Sequence, residues 1–262
     1  MRALLFTIFF LFSASANATV FLEDLTWMEL RDAVASGSTT IIIPIGGTEQ
    51  NGPHMALGKH NARVKFLAEK IAQKLGKTLV APVISYVPEG DIDPPTAHMK
   101  FPGTITISNV TFNQLLESAA KSFKQAGFKT IVFIGDHGSY QSNESYVAAK
   151  LNKNWKSSDV RIFAAIEYYA LTQGAFANAL IKNGHLKNEI GTHAALADTS
   201  LELATNPDMV RSDKLADSGS YSAADGVYGG NPKNATAQLG QLGVDLIVDG
   251  TVTAIENFRS HP

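Results

Sequence analysis

Hydrophobic positions fall into two alternating patterns along the chain. Residues 25–34 carry apolar side chains at helical spacing, and Ser36-Gly37-Ser38 ends them. Residues 39–45 (TTIIIPI) form a short unbroken apolar run, as in a strand covered on both faces. Residues 62–75 predict an amphipathic helix. Val64, Leu67, Ala68 and Ile71 share one side, with Lys65, Glu69, Lys70 and Lys74 opposite. A second strand is expected over 79–87, interrupted by Pro82, and a loop rich in Pro, Gly and Asp follows over 88–103. Helices are then predicted over 110–126, 142–154, 195–203 and 237–258, and strands over 130–134 and 160–166.

Strands alternating with helices over this length indicate a mostly parallel central sheet with helices on both faces, a three-layer α/β/α domain. No repeat, low-complexity tract or linker divides the chain, so residues 19–262 read as one domain. Ligands of such folds bind beyond the carboxyl ends of the strands. That places the functional expectation on residues 46–60, after the first strand, and on residues 135–141, after a central one.

The first 18 residues, MRALLFTIFFLFSASANA, are set apart by their pattern. A basic start, a short apolar centre and an A-x-A ending form a secretory signal peptide, cut after Ala18. Its apolar run is well short of the ~20 residues that span a bilayer. A periplasmic or secreted protein is expected, with no membrane association once the peptide is removed. Of the 262 residues, 45% are hydrophobic and 18% charged, with a net charge of −2, which excludes a disordered chain. No basic stripe is present to neutralise phosphates, so nucleic acid is not an expected partner. The absence of cysteine rules out disulfides, thiolate metal sites and a Cys nucleophile.

Chemistry is concentrated in three places. The first loop holds Glu49, Asn51, His54 and His60; the second holds Asp136, His137 and Ser139; Thr192-His193 stands just before a predicted helix. One carboxylate and two imidazoles, Glu49, His60 and His137, make a three-ligand set typical of catalytic zinc sites. On the residues alone, hydrogen-bonded structural histidines account for the same pattern. Ser139, His137 and Asp136 are too close in sequence to form a nucleophilic triad, and no G-x-S-x-G elbow is present. Gly46-Gly47 lacks the rest of a phosphate-binding fingerprint.

Several ordered motifs resemble the creatininase (creatinine amidohydrolase) family. Pro44-Ile45-Gly46-Gly47-Thr48-Glu49-Gln50-Asn51-Gly52-Pro53-His54 is similar to its Pro-x-Gly-Ser-x-Glu-Gln-His-Gly-Pro-His signature. His98 with Phe101-Pro102-Gly103-Thr104 resembles His-x-x-Phe-Pro-Gly-Thr, and Gly135-Asp136-His137-Gly138 resembles Asn-Gly-His-Gly. Thr192-His193-Ala194 to Ser200, and Gly226 to Pro232, follow in the family's order.

The resemblance implies a creatininase-like fold, a small-molecule substrate, a symmetric homo-oligomer and hydrolysis of cyclic amides or formamides at two divalent metals. Carried over by position, the ligands of the first metal fall on Glu49, His60 and His137. The family's bridging acid corresponds to His60, and the second metal's own ligands correspond to Asn51 and Ser139. An imidazole nitrogen binds one cation where a carboxylate can bridge two. The expectation is therefore one divalent metal, zinc first with manganese or iron as alternatives. His193 matches the family's catalytic histidine and is the expected proton carrier. Asn51, Ser139 and Asp136 are the expected substrate-binding residues. Creatinine itself is not the expected substrate, because neither Trp27 nor Trp155 matches the family's tryptophan-bearing loops. His54 is expected to support the geometry of its loop, His98, Asp91 and Asp93 either line the site or form a solvated surface, and His185 and His261 are read as surface residues. The alternative is a non-catalytic periplasmic binding protein on a degenerate creatininase fold.

Overall fold

The computed structural model describes residues 19–260; the expected signal peptide and His261 lie outside the described residues. Strands β1 (Thr40–Ile45), β2 (Thr78–Val80), β3 (Thr130–Gly135) and β4 (Arg161–Ala164) form one parallel sheet in the order β2-β1-β3-β4. Among the described residues the helices are α1 (Trp27–Ala35), α2 (Lys59–Leu75), α3 (Asn109–Gln125), α4 (Gln141–Asn154) and α5 (Glu167–Gln173). The series continues with α6 (Ala175–Lys182), α7 (Lys187–Ile190), α8 (Leu196–Thr205), α9 (Ser212–Ala216) and α10 (Ala237–Ser260).

Side chains alternate across a strand, so the unbroken apolar runs supply two cores at once. Ile41, Ile43 and Ile45 join Ile131 and Phe133 on one face, under Phe112 and Leu116 of α3 and Val147 and Leu151 of α4. Ile42, Val80, Val132 and Ile134 form the other face, with α2, α5, α6, α8 and α10 against it. The three-layer α/β/α architecture expected from the pattern is present. In α2 the buried residues are those of the predicted apolar side, Val64, Leu67, Ala68 and Ile71, together with Lys59, His60, Arg63 and Ala72. The C-terminal helix lies unusually near α8. A Cβ on Gly240 would stand 1.8 Å from the Ser200 carbonyl oxygen.

Three local differences separate expectation from structure. The strand expected over 79–87 ends at Val80, with Ile84 rejoining β1 at an isolated bridge to Ile45. Pro82, which has no N–H to give to a ladder, falls within the break. Residues 167–190 carried no expectation and fold as α5, α6 and α7. The polar, Gly-rich stretch over 218–231 contributes β6 (Tyr228–Gly230), which pairs antiparallel with β5 (Gly191–His193), His193 opposite Tyr228.

The register of the sheet determines where the site forms. Ile45 at the end of β1 is the partner of Gly135 at the end of β3, so the two following loops leave the sheet side by side. Asp136 N donates to Ile45 O at 3.0 Å. The buried Tyr140 hydroxyl accepts from His137 N and lies 2.9 and 2.6 Å from the Ile45 and Gly46 carbonyls, tying the loops together.

Candidate metal centre

Glu49 is fully buried at the middle of the site, and four imidazoles surround it. His60 stands in the first turn of α2, and His137 follows β3 directly. His193 ends β5, and His98 lies in the single helical turn Ala97–Lys100 of the Pro-rich loop. Backbone and amide bonds hold Glu49 in place. Glu49 N donates to Leu57 O, and Asn51 Nδ2 donates to the carbonyls of Glu49 and Ala56 at 2.9 and 3.0 Å.

Glu49 Oε1 is 2.7 Å from His60 Nε2 and 3.5 Å from His193 Nδ1. Glu49 Oε2 is 3.5 Å from His137 Nε2 and 3.1 Å from His98 Nδ1. Ligand atoms of Glu49, His60 and His137 lie within 4.8 Å of one another, and so do those of Glu49, His98 and His193. The first set is the one expected from the sequence. His98, read there as either lining the site or lying on the surface, joins the second. The signal for it was its place three residues before Phe101-Pro102-Gly103, within a motif already noted.

A second tier of charge sits behind His60. Asp136 Oδ2 is 2.5 Å from His60 Nδ1 and accepts from Arg63 Nε at 2.9 Å, and Asp136 Oδ1 accepts from the Tyr168 hydroxyl at 2.7 Å. Arg63 also donates to Asp198 Oδ1 at 2.6 Å, and Lys59 Nζ pairs closely with Asp198 Oδ2.

Burial alone would raise the Glu49 carboxyl, but His137, His60 and His193 outweigh it and hold it well below the usual carboxylate range. Burial pushes His137 down to about 4 and His193 to about 3, in both cases against the pull of Glu49. It lowers His98 as well. For His60, burial and the Lys59 charge are outweighed by hydrogen bonds with Asp136 and Glu49, so its pKa is raised. Burial and the neighbouring Glu49 charge push Glu89 up to about 9, keeping it neutral.

His137 and His193, held neutral, offer lone pairs, the state a metal ligand requires, whereas His60, its pKa raised between two carboxylates, has to release a proton to bind a cation. Ser139 Oγ donates to Pro88 O at 2.7 Å and lies 2.8 Å from His137 Nδ1, and the opposite ring nitrogen, Nε2, faces Glu49. His193 Nε2–H donates to Gln50 O at 3.0 Å, which turns its bare Nδ1 the same way. Glu49 Oε2 is buried, 3.1 Å from His98 Nδ1, and the neutral Glu89 carboxyl approaches Glu49 as well. Acceptors facing acceptors in a buried space fit a cation. The donor set of one carboxylate and imidazoles suits zinc, manganese or iron.

Asn51, Ser139 and Asp136, the expected substrate-binding residues, are each engaged by neighbouring groups of the protein. Asn51 Nδ2 braces the loop backbone, and Ser139 bonds the far edge of His137. Asp136 borders the cavity, but both its oxygens are taken by His60, Arg63 and Tyr168. The cavity beside the cluster has a volume of about 340 Å³ and is bordered by Lys59, His60, His98, His137, His193 and Tyr228, among others. Trp27 and Trp155 are not in its wall.

The chain matches the creatininase model, described as creatinine amidohydrolase, over residues 23–255. It is 23% identical over 207 residues to creatinine amidohydrolase of Pseudomonas putida, covering 77% of each chain. A tryptophan-to-alanine mutant creatininase superimposes with a TM-score of 0.76 at 22% identity, over 91% of this chain and 98% of that one. A creatininase structure designated Mn gives 0.72 at 22% identity with the same coverage, and a further mutant creatininase is of Zn-Zn type. With the family model spanning nearly all of the described residues, this chain belongs to the creatininase family.

Proposed function

We propose that the chain is an exported metal-dependent hydrolase of a C–N bond in a small cyclic amide or related amide. One divalent metal, zinc first, is held by Glu49, His60 and His137. The observation that carries this reading is the convergence of one buried carboxylate and two imidazoles: ligand atoms of Glu49, His60 and His137 lie within 4.8 Å of one another. A divalent cation held there supplies Lewis-acid chemistry, polarising a carbonyl oxygen and acidifying water.

The protein's own groups do the rest. Asp136 and Arg63 fix the ring of His60, as residues behind metal-ligating histidines commonly do. His193 Nδ1 takes the proton of the attacking water and returns it to the leaving nitrogen, so the proton balance closes within the site. His98 packs on the His193 ring, centroids 4.5 Å apart, and limits its rotation. A substrate other than creatinine is favoured by a cavity wall without tryptophan. Periplasmic or extracellular location and a homo-oligomeric state remain part of the same reading.

The test is metal analysis of the purified mature chain with a hydrolysis screen of small cyclic amides. About one Zn²⁺ per chain is expected, with turnover lost in Glu49→Gln and His137→Ala. A folded chain that retains no metal at micromolar zinc contradicts the reading and returns the family scaffold to a binding role.

A further inference from the structure

Lys59 is the first residue of α2 and stands beside His60, with its side chain 1% exposed. It borders the same cavity as the imidazoles. No motif singled it out, because a lysine at the start of an amphipathic helix is ordinarily a solvated residue.

The neighbouring carboxylates are already occupied. Asp198 Oδ1 accepts from Arg63, and Asp198 Oδ2 takes both Lys59 Nζ and the Ala194 N–H. Asp136 is shared by Arg63, His60 and Tyr168. Arg63 places Nε on Asp136 and one terminal nitrogen on Asp198, and its other terminal nitrogen lies 2.7 Å from Asp136 Oδ2. Lys59 differs. An ammonium has three donors, and among the described residues the one acceptor it finds is Asp198. A buried charge with unmet donors is costly unless something else accepts from it.

The charge balance points the same way. Lys59 and Arg63 are offset by Asp136 and Asp198. A divalent cation would carry one charge more than the Glu49 carboxylate cancels, leaving an excess of one positive charge beside the cavity. We infer that Lys59 selects for a monoanionic substrate: a small amide whose carboxylate, or an equivalent single anion, accepts from the Lys59 ammonium. This inference rests on the metal-hydrolase reading and adds the charge class of its substrate. A cavity of about 340 Å³ matches a small metabolite.

The test compares two lactams of similar ring, pyroglutamate and neutral 2-pyrrolidinone, by calorimetry on the zinc-loaded full chain. Pyroglutamate is expected to bind about tenfold more tightly, the scale of a hydrogen bond to a charged group. Lys59→Met, checked for zinc content and melting temperature, is expected to reduce the preference to about twofold or less. Lys59→Gln provides the same comparison if the Met variant does not fold, and the preference of the unmodified chain decides if neither does. Absence of preference in the unmodified chain, whether both lactams bind equally or neither binds, overturns the inference. A preference that survives in a folded Lys59 variant also overturns it. Failure of the metal reading appears separately, as a chain that takes up no zinc. A chain without zinc lacks the excess charge, so that outcome overturns the inference together with the reading, whereas a zinc-loaded chain without preference overturns the inference alone.

Discussion

Asp136 Oδ2 lies 2.5 Å from Nδ1 of His60, and the opposite nitrogen of that ring lies 2.7 Å from Glu49 Oε1. A carboxylate on one nitrogen fixes the tautomer and aims the other, which is how metal-ligating histidines are commonly held. Asp136→Asn weakens the acceptor and leaves Arg63 with less compensation. Zinc affinity is expected to fall by about 10–100-fold, read by competition with a chromophoric chelator on protein shown to be folded by circular dichroism. Unchanged affinity would mean that Asp136 serves Arg63 and the fold alone.

Two ligand sets share Glu49, and alanine substitutions separate them. His60→Ala and His137→Ala are each expected to lower zinc affinity by about 100-fold or more, whereas His98→Ala stays within about tenfold of the unmodified chain. The same chelator competition measures all three. A loss in His98→Ala as large as in His60→Ala would move the cation to the His98 and His193 side.

Glu202 is buried with neither oxygen receiving a hydrogen bond, and burial pushes it up to about 8, against Arg63 and Lys59. In the folded chain it holds its proton at pH values where the unfolded chain, with the ordinary carboxyl value of 4.5, has released it. Its contribution to stability therefore falls as pH rises from 4.5 to about 8, by roughly 1.4 kcal/mol per pH unit at most. Glu202→Gln removes that dependence. Denaturant midpoints at pH 5 and pH 8 are expected to show the variant gaining on the unmodified chain as pH rises. A constant difference would show that Glu202 titrates normally.

The close approach of α10 to α8 rests on Gly240, where a Cβ would meet the Ser200 carbonyl. Gly240→Ala is expected to destabilise by about 1–3 kcal/mol, despite the better helix propensity of alanine. Urea unfolding with an unchanged slope would measure it. A neutral or stabilising result would mean that the helices can move apart freely.

The layers of this fold were legible because the strand runs are apolar at every position: Ile41, Ile42 and Ile43 have to face two cores, and a parallel sheet between helices supplies them. Glu49, His60 and His137 were legible from their places after strand ends and from the motif around Glu49. His98 was harder to read. A histidine in a Pro-rich loop has no periodicity to reveal its direction, and its approach to Glu49 depends on a bond between Gln50 N and Thr104 Oγ1 across 54 residues. Lys59 and Arg63 were hidden for a related reason. The first turn of α2 turns inward at its carboxylate partners Asp136 and Asp198, which come from elements far along the chain. The pairing of β5 with β6 carries one cross-strand register pair and too few residues for an alternating pattern.

Anomalous diffraction at the zinc edge from crystals of the zinc-loaded chain tests the central claim most directly. The account expects one peak per chain, within bonding distance of Glu49, His60 and His137, with His193 facing it and unligated. No peak, two peaks side by side, or a single peak on His98 and His193 would contradict it.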